Sequence, residues 1–412
     1  MISKSKVKVD YDIIKELGEG TFGCVTLAQY KHPLESLIQP NKNYISTLLR
    51  PLPTTFLSNQ HAMVAIKTMK VKDIIFDRLR EVKFIRHVGA HPNLVQIYNI
   101  VEDADTGHLN IMMEPAEFNL HQYLKGRNGK YLSTMGIKSL SSQLLCAIGH
   151  IHEYGFMHRD VKPENILLIP ISNYYGGREF VPSYRRSCDA FILKLADYGL
   201  ARSMHSAAKF SRYVSTRWYR APELFLRSSS HNQAVDIWAF GCVCAEIANV
   251  FPIFPGRSEL EMFSYVSVKI GAPAGPNYGP GGKWDIARTL LSGRGWNVKS
   301  KNSPYSSMSE LVHHPRPEVR DQLGELLECC LQWDPKKRDS AEMLTRLSLF
   351  EWTSAKMPVK KMLKADTRAS IRFEHAKSQI ANGPLTDISS SSVNQHSGVI
   401  KSKLDTTKTS VS

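Results

Sequence analysis

The feature that most constrains this chain is a set of three short motifs in a fixed order. The first is the run His158-Arg159-Asp160-Val161-Lys162-Pro163-Glu164-Asn165. The second, Asp197-Tyr198-Gly199, follows about thirty residues later, and the third is Ala221-Pro222-Glu223. A lone aspartate or asparagine carries no information. This order and spacing, however, predict a fold that brings all three motifs to one site.

Four side chains in these motifs have the chemistry for moving a phosphoryl group. Asp160 can accept the proton of an attacking hydroxyl, and Lys162 can neutralise the transferring phosphate. Asn165 and Asp197 offer the oxygen ligands that magnesium prefers. Such a transfer asks little covalent chemistry of the protein, because catalysis rests on positioning and charge stabilisation. The motifs therefore predict Mg²⁺-dependent phosphoryl transfer.

A glycine-rich turn lies near the start of the chain. Gly18, Gly20 and Gly23 stand between two apolar stretches that read as strands, and Val25 follows the turn. Glycines let the backbone lie close over a triphosphate, with its amides toward the oxygens. A dinucleotide-binding fold would need a helix after the loop, whereas a strand follows here. The pattern favours ATP, with a plain turn as the structural alternative.

Lys67 ends a predicted strand that begins at Met63. An unpaired charge on a buried strand is expensive, so this lysine needs an anionic partner. The α- and β-phosphates of ATP and Glu81, on the next predicted helix, would supply it. Glu102 is a weaker candidate for that partner, and a strand-end lysine in solvent is the alternative.

The charge balance does not point to nucleic acid. The net charge is +15 and the isoelectric point is near 9.4. The basic excess is spread along the chain, and no arginine–aromatic stripe or basic helix stands out. We therefore expect no direct contact with nucleic acid.

Cysteine usage and the apolar segments indicate a reduced compartment and no membrane. The seven cysteines are odd in number and show no paired CxxC motif. The first residues lack the apolar core of a signal peptide. The most apolar stretch, residues 237–254, contains Glu246 and Pro252 and therefore reads as a buried helix. We expect the protein in the nucleus and cytoplasm.

The chain divides into one folded region and a tail. We predict a folded domain over residues 11–353, interrupted by inserted loops at 31–61 and 170–190. The second insert is expected at the surface, because a buried loop would strand backbone polar groups. Its tyrosines suggest a partner or an intramolecular dock, so shortening the insert should leave the basal ATPase activity but change partner binding or regulation. Residues 354–412 are basic and rich in Ser and Thr, and we predict that they are disordered.

At this point a family resemblance can be stated. Residues 11–353 resemble a eukaryotic protein kinase, and the run 215–223 resembles the branch that holds mitogen-activated and cyclin-dependent kinases. The insert before Lys67, the run 80–85, the aromatic insert and the run 280–285 resemble the meiosis-induction kinases of yeasts, relatives of the male-germ-cell-associated kinase. The resemblance implies an α+β, two-lobed fold, with a small antiparallel-sheet lobe and a larger helical lobe.

The resemblance also implies roles for individual residues. ATP would lie between the lobes, against Gly18, Gly20, Gly23, Val25, Ala65, Lys67, Met113, Glu114 and Ala116. Met113 would guard a back pocket, and the backbone of Glu114 and Ala116 would contact adenine. Catalysis would depend on Asp160, Lys162, Lys67 and Glu81, with Mg²⁺ on Asn165 and Asp197.

Further implications concern support and regulation. Arg159 would bind a phosphate on the activation segment. Asp236 would tether the backbone of the His158 loop, and Glu223 would pair with Arg338. Tyr198 stands where the family has phenylalanine, so its hydroxyl needs a partner.

Ser211 and Tyr213 stand where the branch has its phosphorylated Thr-x-Tyr pair. The expected function is serine/threonine phosphorylation of protein substrates in meiosis, sporulation or related fungal differentiation. An upstream kinase would activate the protein, which we expect to be a monomer.

Two alternatives remain open at this level. One is a cyclin-dependent or mitogen-activated-type kinase of cell-cycle control. The other is a non-catalytic scaffold on a kinase fold. Such a scaffold usually lacks Lys67, Asp160, Asn165 or Asp197, and all four are present.

Overall fold

The computed structural model describes residues 6–7, 10–20, 23–32, 57–58, 61–69, 79–175, 177–186, 190–204, 217–228, 231–274, 278–296, 303–351, 353 and 361–362. Ser211, Tyr213, most of the 31–61 insert and nearly all of the 354–412 tail lie outside these ranges, and so do the predictions made for them.

A largely antiparallel sheet forms the small lobe. Its strands are β1 (Lys6–Val7), β2 (Tyr11–Gly20), β3 (Gly23–Tyr30), β4 (Leu57–Ser58), β5 (His61–Met69), β6 (Ile97–Asp103) and β7 (Leu109–Met113). Their spatial order is β1-β6-β7-β5-β3-β2, and β4 pairs with the start of β5. Only the short β1 runs parallel to its neighbour among these described pairs. Strand β5 begins at His61, two residues before the predicted start.

One helix packs beside this sheet. Helix α1 (Arg80–His87) lies within residues 77–88, where the apolar residues have helical spacing. Val82, Phe84 and Ile85 are buried at helical spacing, and this apolar stripe holds the helix against the core. Glu81 is also buried on α1.

The large lobe is mainly helical. Its helices are α2 (Leu120–Gly126), α3 (Thr134–Glu153), α4 (Ile171–Tyr175), α5 (Ser183–Arg186), α6 (Pro222–Phe225), α7 (Ala234–Asn249), α8 (Glu259–Ile270), α9 (Ala287–Gly293), α10 (Pro317–Cys330) and α11 (Ala341–Leu344). Every residue of α7 from Val235 onward is buried, which confirms the predicted core helix. Among the described residues, no helix has both the length and the apolar character needed to cross a membrane.

Short strands also occur in the large lobe, in the segments that connect its helices. They are β8 (Phe118–Asn119), β9 (Phe156–Met157), β10 (Ile166–Pro170), β11 (Phe191–Leu195) and β12 (Arg202–Ser203). The long helix α3 leads through β9 into the run 158–165, and β11 leads into the run 197–199. The two motifs lie side by side, because β10, which follows the first, pairs with β11, and the backbone N–H of Ala196 donates to the carbonyl of Asn165 at 2.8 Å. The two-lobed α+β prediction is confirmed.

The 170–190 segment differs from its prediction as a surface loop. It connects β10 to β11 and forms α4 and α5. Tyr174, Tyr175, Val181 and Arg185 within it are buried. The surface prediction was therefore wrong for these residues. Short helices satisfy much of the backbone locally, so the aromatic side chains can pack into the protein.

Candidate active site

A cleft of about 600 Å³ lies between the sheet lobe and the helical lobe. Most predicted nucleotide contacts line it together: Gly18, Gly23, Val25, Ala65, Lys67, Glu81, Met113, Glu114, Ala116, Asn165 and Asp197. Gly20 ends strand β2, and its contact with the nucleotide stays a prediction. Residues that are far apart in sequence thus line one cleft, in agreement with the prediction that the motifs meet at a single site.

Gly23 is required by the approach of two strands. Its φ angle of +146° lies in a region that other residues rarely adopt. A Cβ atom here would collide with the backbone carbonyl of Thr68 on β5. The glycine therefore keeps β3 close to β5, and so keeps the turn over the cleft.

The edge of the cleft that joins the lobes begins at Glu114. Its backbone N–H donates to the carbonyl of Gln96 at 2.9 Å. Only the carbonyl of Glu114 is therefore left to serve the amino group of an adenine. This refines the predicted contact, which had named the backbone of Glu114 in general.

Lys67 is the buried cation of the cleft. Its Nζ lies 3.0 Å from Oε2 of Glu81 and 2.7 Å from Oδ1 of Asp197. Burial disfavours its charged form, but the two carboxylates outweigh burial and raise the pKa of Lys67 above its ordinary value. Lys67 is therefore charged at neutral pH. The predicted pairing with Glu81, rather than with Glu102, is confirmed.

Asp197 carries the complementary charge. Burial acts to raise its pKa, but the Lys67 charge is stronger, and the pKa of Asp197 is lowered. Its φ angle of +64° is unusual for a residue other than glycine. Such strain persists only where the surroundings hold it, and it is common at functional sites.

Asp160 lies within hydrogen-bond distance of two of its motif partners. Lys162 Nζ lies 2.8 Å from Oδ2 of Asp160, and the amide nitrogen of Asn165 donates to the same oxygen at 2.9 Å. These contacts fix the orientation of the carboxylate. The nitrogen of Asn165 is used here, which leaves its carbonyl oxygen as the atom for a cation.

Asp236 at the start of α7 holds this loop from below. Its two carboxylate oxygens accept the backbone N–H groups of His158 at 2.8 Å and Arg159 at 2.7 Å. Arg159 has a φ angle of +70°, so these bonds hold a strained backbone next to Asp160. The predicted tether is confirmed.

Two predicted supporting contacts are also confirmed. The Tyr198 ring stacks on Phe84 with centroids 4.3 Å apart, and its hydroxyl donates to the carbonyl of Leu195 at 3.0 Å. Arg338 and Glu223 form a fully buried, bidentate pair at 2.7 and 2.8 Å.

A cluster of cations lies beside the loop. Burial first, and then the charges of Arg159 and Arg80, lower the pKa of Arg202. Burial and the charges of Arg159 and Arg202 lower the pKa of His231 to about 4. Arg159 and Arg80 therefore lie close enough to Arg202 for their charges to act on it, and these three arginines form the cation cluster, with the neutral His231 beside Arg159 and Arg202. The arrangement suits a phosphate group.

Sequence reasoning missed some of these residues. Arg80 and His231 are distant in sequence, and only the fold brings Arg80 to Arg202 and His231 to Arg159. Lys194 was also missed, although it stands inside the apolar strand Phe191–Leu195. The rule applied to Lys67 would have found it, since a lysine in a buried strand needs an anion.

The chain matches known protein families over most of its length. Residues 54–350 match the protein kinase domain. The meiosis induction protein kinase of Saccharomyces cerevisiae is 37% identical over 84% of this chain and 55% of its own length. A sporulation protein kinase of Schizosaccharomyces pombe is 32% identical over 81% and 53%, respectively. The mouse serine/threonine-protein kinase ICK is 33% identical over 83% and 45%.

The chain spans about half the length of the curated relatives it matches. The match to the kinase domain nevertheless covers most of the chain and includes Lys67 and the runs 158–165 and 197–199, which meet in the cleft, while the glycine-rich turn precedes the matched residues. This chain therefore belongs to the protein kinase family, with serine/threonine kinases among its relatives.

Proposed function

We propose that this chain is a serine/threonine protein kinase that transfers the γ-phosphoryl group of ATP to protein substrates. One observation carries the proposal. Lys67 contacts both Glu81 and Asp197 on one side of the cleft, and Asp160, Lys162 and Asn165 contact one another beside it. Every charge that the reaction needs is therefore in place, which argues against the scaffold alternative.

The donor set fits a magnesium nucleotide. Asp197 offers a carboxylate and Asn165 an amide oxygen, and Mg²⁺ usually takes one or two such protein ligands together with substrate phosphates. ATP with Mg²⁺ supplies the phosphoryl group and part of the neutralising charge. Lys67 binds phosphate oxygens while Glu81 orients it.

Asp160 and Lys162 act on the acceptor side. The Asp160 carboxylate orients the serine or threonine hydroxyl and receives its proton. Lys162, 2.8 Å from that carboxylate, stabilises negative charge that develops on the transferred group. The fixed contacts to Asp160 Oδ2 mean that little reorganisation is needed during the reaction.

Analysis of the phosphorylated product tests this function. The purified chain, with ATP and Mg²⁺, should place phosphate on serine and threonine of a generic basic protein. Phosphate on tyrosine alone, or on no residue, would contradict the proposal.

The cation cluster supports a proposal about activation. Phosphate on Ser211 would be bound by Arg159 and Arg202, with Arg80 as a third partner that the fold adds. Phosphate on Tyr213 would pair with Arg217 and Arg220. Each bidentate arginine–phosphate pair is a strong, charge-assisted contact. An upstream kinase would supply the phosphate on Ser211.

We expect the Ser211→Ala change to lower kcat/KM for a peptide roughly 10- to 100-fold, because charge-assisted contacts of this kind are worth about 1.5–3 kcal/mol each. Tyr213→Phe should also lower it, and the double change should lower it further. Ser306→Ala, at an exposed position of the large lobe, is the matched control. The reference is wild-type chain that carries phosphate on Ser211 and Tyr213. A double variant that phosphorylates the peptide as fast as this reference would rule out the switch.

The biological role is a separate proposal. Relatives named for meiosis induction and for sporulation support a role in meiosis, sporulation or related fungal differentiation. We also propose that the chain acts as a monomer in the nucleus and cytoplasm. Expression in a Saccharomyces cerevisiae strain that lacks its meiosis induction kinase tests the role. Failure of the active chain to restore spore formation would speak against it.

A further inference from the structure

The 170–190 segment packs against the edge of the cleft that would contact adenine. Its residues Tyr174, Tyr175 and Val181 form an apolar cluster with Ile169 on β10 and Ile192 on β11. Ala116, which lines the cleft, packs against the same cluster. The segment is therefore a back wall for the chain that joins the two lobes, rather than a loop that projects away from it.

A buried ion pair lies under this wall. Lys194 on β11 is fully buried, and its Nζ lies 2.7 Å from Oε1 of Glu114. The Tyr174 ring covers this ammonium group, with its centroid 4.9 Å from Nζ. A buried cation needs an anion and exclusion of water to be tolerated. Glu114 provides the first and Tyr174 contributes to the second, with a cation–π contact in addition.

The ion pair helps to hold Glu114, a residue of the cleft lining, in place. Oε1 of Glu114, which contacts Lys194, also accepts the backbone N–H of Gln96 at 2.7 Å. The backbone N–H of Glu114 returns a bond to the carbonyl of Gln96. Glu114 is thus held through both its side chain and its backbone. These contacts fix the orientation of its carbonyl, the group that would accept from the amino group of adenine.

A second contact reaches the next part of the cleft lining. The side-chain amide of Asn173 donates to Oε1 of Glu117 at 3.0 Å. The segment therefore acts on three cleft-lining residues: Glu114 through Lys194, Ala116 through apolar packing, and Glu117 through Asn173. Catalytic side chains such as Asp160 do not take part in these contacts.

We propose that the 170–190 segment is a brace that positions Glu114, Ala116 and Glu117 for binding the adenosine part of the nucleotide. Tyr174, Lys194 and Asn173 are positioning residues, since they act through the cleft lining and do not contact the nucleotide themselves. The identity of the ligand rests on the proposed function. Of the two roles predicted for the tyrosines of this insert, a partner or an intramolecular dock, the brace corresponds to the dock, because Tyr174 and Tyr175 are buried.

The test compares variants of the full chain that keep or remove the aromatic face. Tyr174→Leu removes the ring from Lys194, whereas Tyr174→Phe keeps it. We expect Tyr174→Leu to raise the dissociation constant for Mg²⁺–ATP about three- to tenfold, less than the full value of a desolvated cation–π contact, because Tyr174 acts on the nucleotide only through Lys194 and Glu114. Tyr174→Phe should stay within about twofold, and KM for the peptide should not change in either variant.

The brace is proposed to act on the base and ribose of the nucleotide and not on its phosphates. Adenosine and tripolyphosphate therefore test the two parts of the nucleotide separately. The affinity for adenosine should fall by the same factor as that for ATP, while inhibition by tripolyphosphate should not change. Asn173→Leu is the second variant, should Tyr174→Leu fail to fold. It removes the hydrogen bond to Glu117 and also the one that Ser172 Oγ donates to Asn173 Oδ1. Loss of the Glu117 contact should weaken adenosine binding about two- to threefold.

The outcomes separate this inference from the proposed function. A wild-type chain that binds no adenine nucleotide contradicts the proposed function, and the brace with it. A wild-type chain that binds ATP, with folded Tyr174→Leu or Asn173→Leu variants of unchanged affinity for adenosine, overturns the brace alone. Equal losses for adenosine and tripolyphosphate would also overturn it, because they would indicate general damage to the cleft.

Discussion

The Asp160→Asn variant is expected to lose phosphotransfer while it keeps nucleotide binding. Asparagine has nearly the same shape, and its oxygen can still accept from Lys162 and Asn165, but it cannot take the proton of the hydroxyl. A general base of this kind contributes about 10²- to 10⁴-fold. We therefore expect kcat to fall by that factor, in a steady-state assay with labelled ATP and a serine peptide.

The affinity for nucleotide provides the internal control. The dissociation constant for Mg²⁺–ATP should change by less than about twofold, because Asp160 acts on the acceptor hydroxyl. Asp321→Asn, at an exposed position of α10, should leave both quantities unchanged. Near wild-type turnover in Asp160→Asn would show that another group is the base.

The Lys67→Met variant is expected to lose activity for a different reason. Methionine keeps much of the apolar stem but removes the charge that lies between Glu81 and Asp197. Loss of one preorganised charge in a closed site costs about 10²- to 10³-fold in rate. Breaking a buried pair also costs about 3–5 kcal/mol of stability, so a lower melting temperature with retained cooperative unfolding should accompany the lost activity.

A double variant separates the two effects of Lys67→Met. Adding Glu81→Gln removes the buried carboxylate that has lost its cation, so the melting temperature should recover in part. The activity should not recover, because the phosphate site still lacks its positive charge. Ordinary turnover in either variant would contradict the placement of the phosphates.

The sequence was most informative where function is carried by local motifs. The turn at Gly18–Gly23, the run from His158 to Asn165 and the strand that ends at Lys67 each contain their own signal. Their spacing could be read without coordinates. The pairing of Lys67 with Glu81 followed from one physical rule, the cost of a buried charge without a partner.

The sequence was least informative where function depends on packing between distant segments. Aromatic residues in an irregular stretch marked 170–190 as an insert, but periodicity does not show what a short irregular segment packs against. Tyr174 meets Lys194 only because β10 and β11 are paired in the fold. Arg80 likewise reaches Arg202 only because α1 packs beside the large lobe.

The most direct test of the central claim is one phosphotransfer measurement. The wild-type chain is mixed with γ-labelled ATP, Mg²⁺ and a serine peptide, with the same peptide carrying alanine as the control. The account predicts label on the serine peptide only, dependent on Mg²⁺ and far above the rate of the Asp160→Asn variant. Label at no more than the Asp160→Asn rate would contradict it.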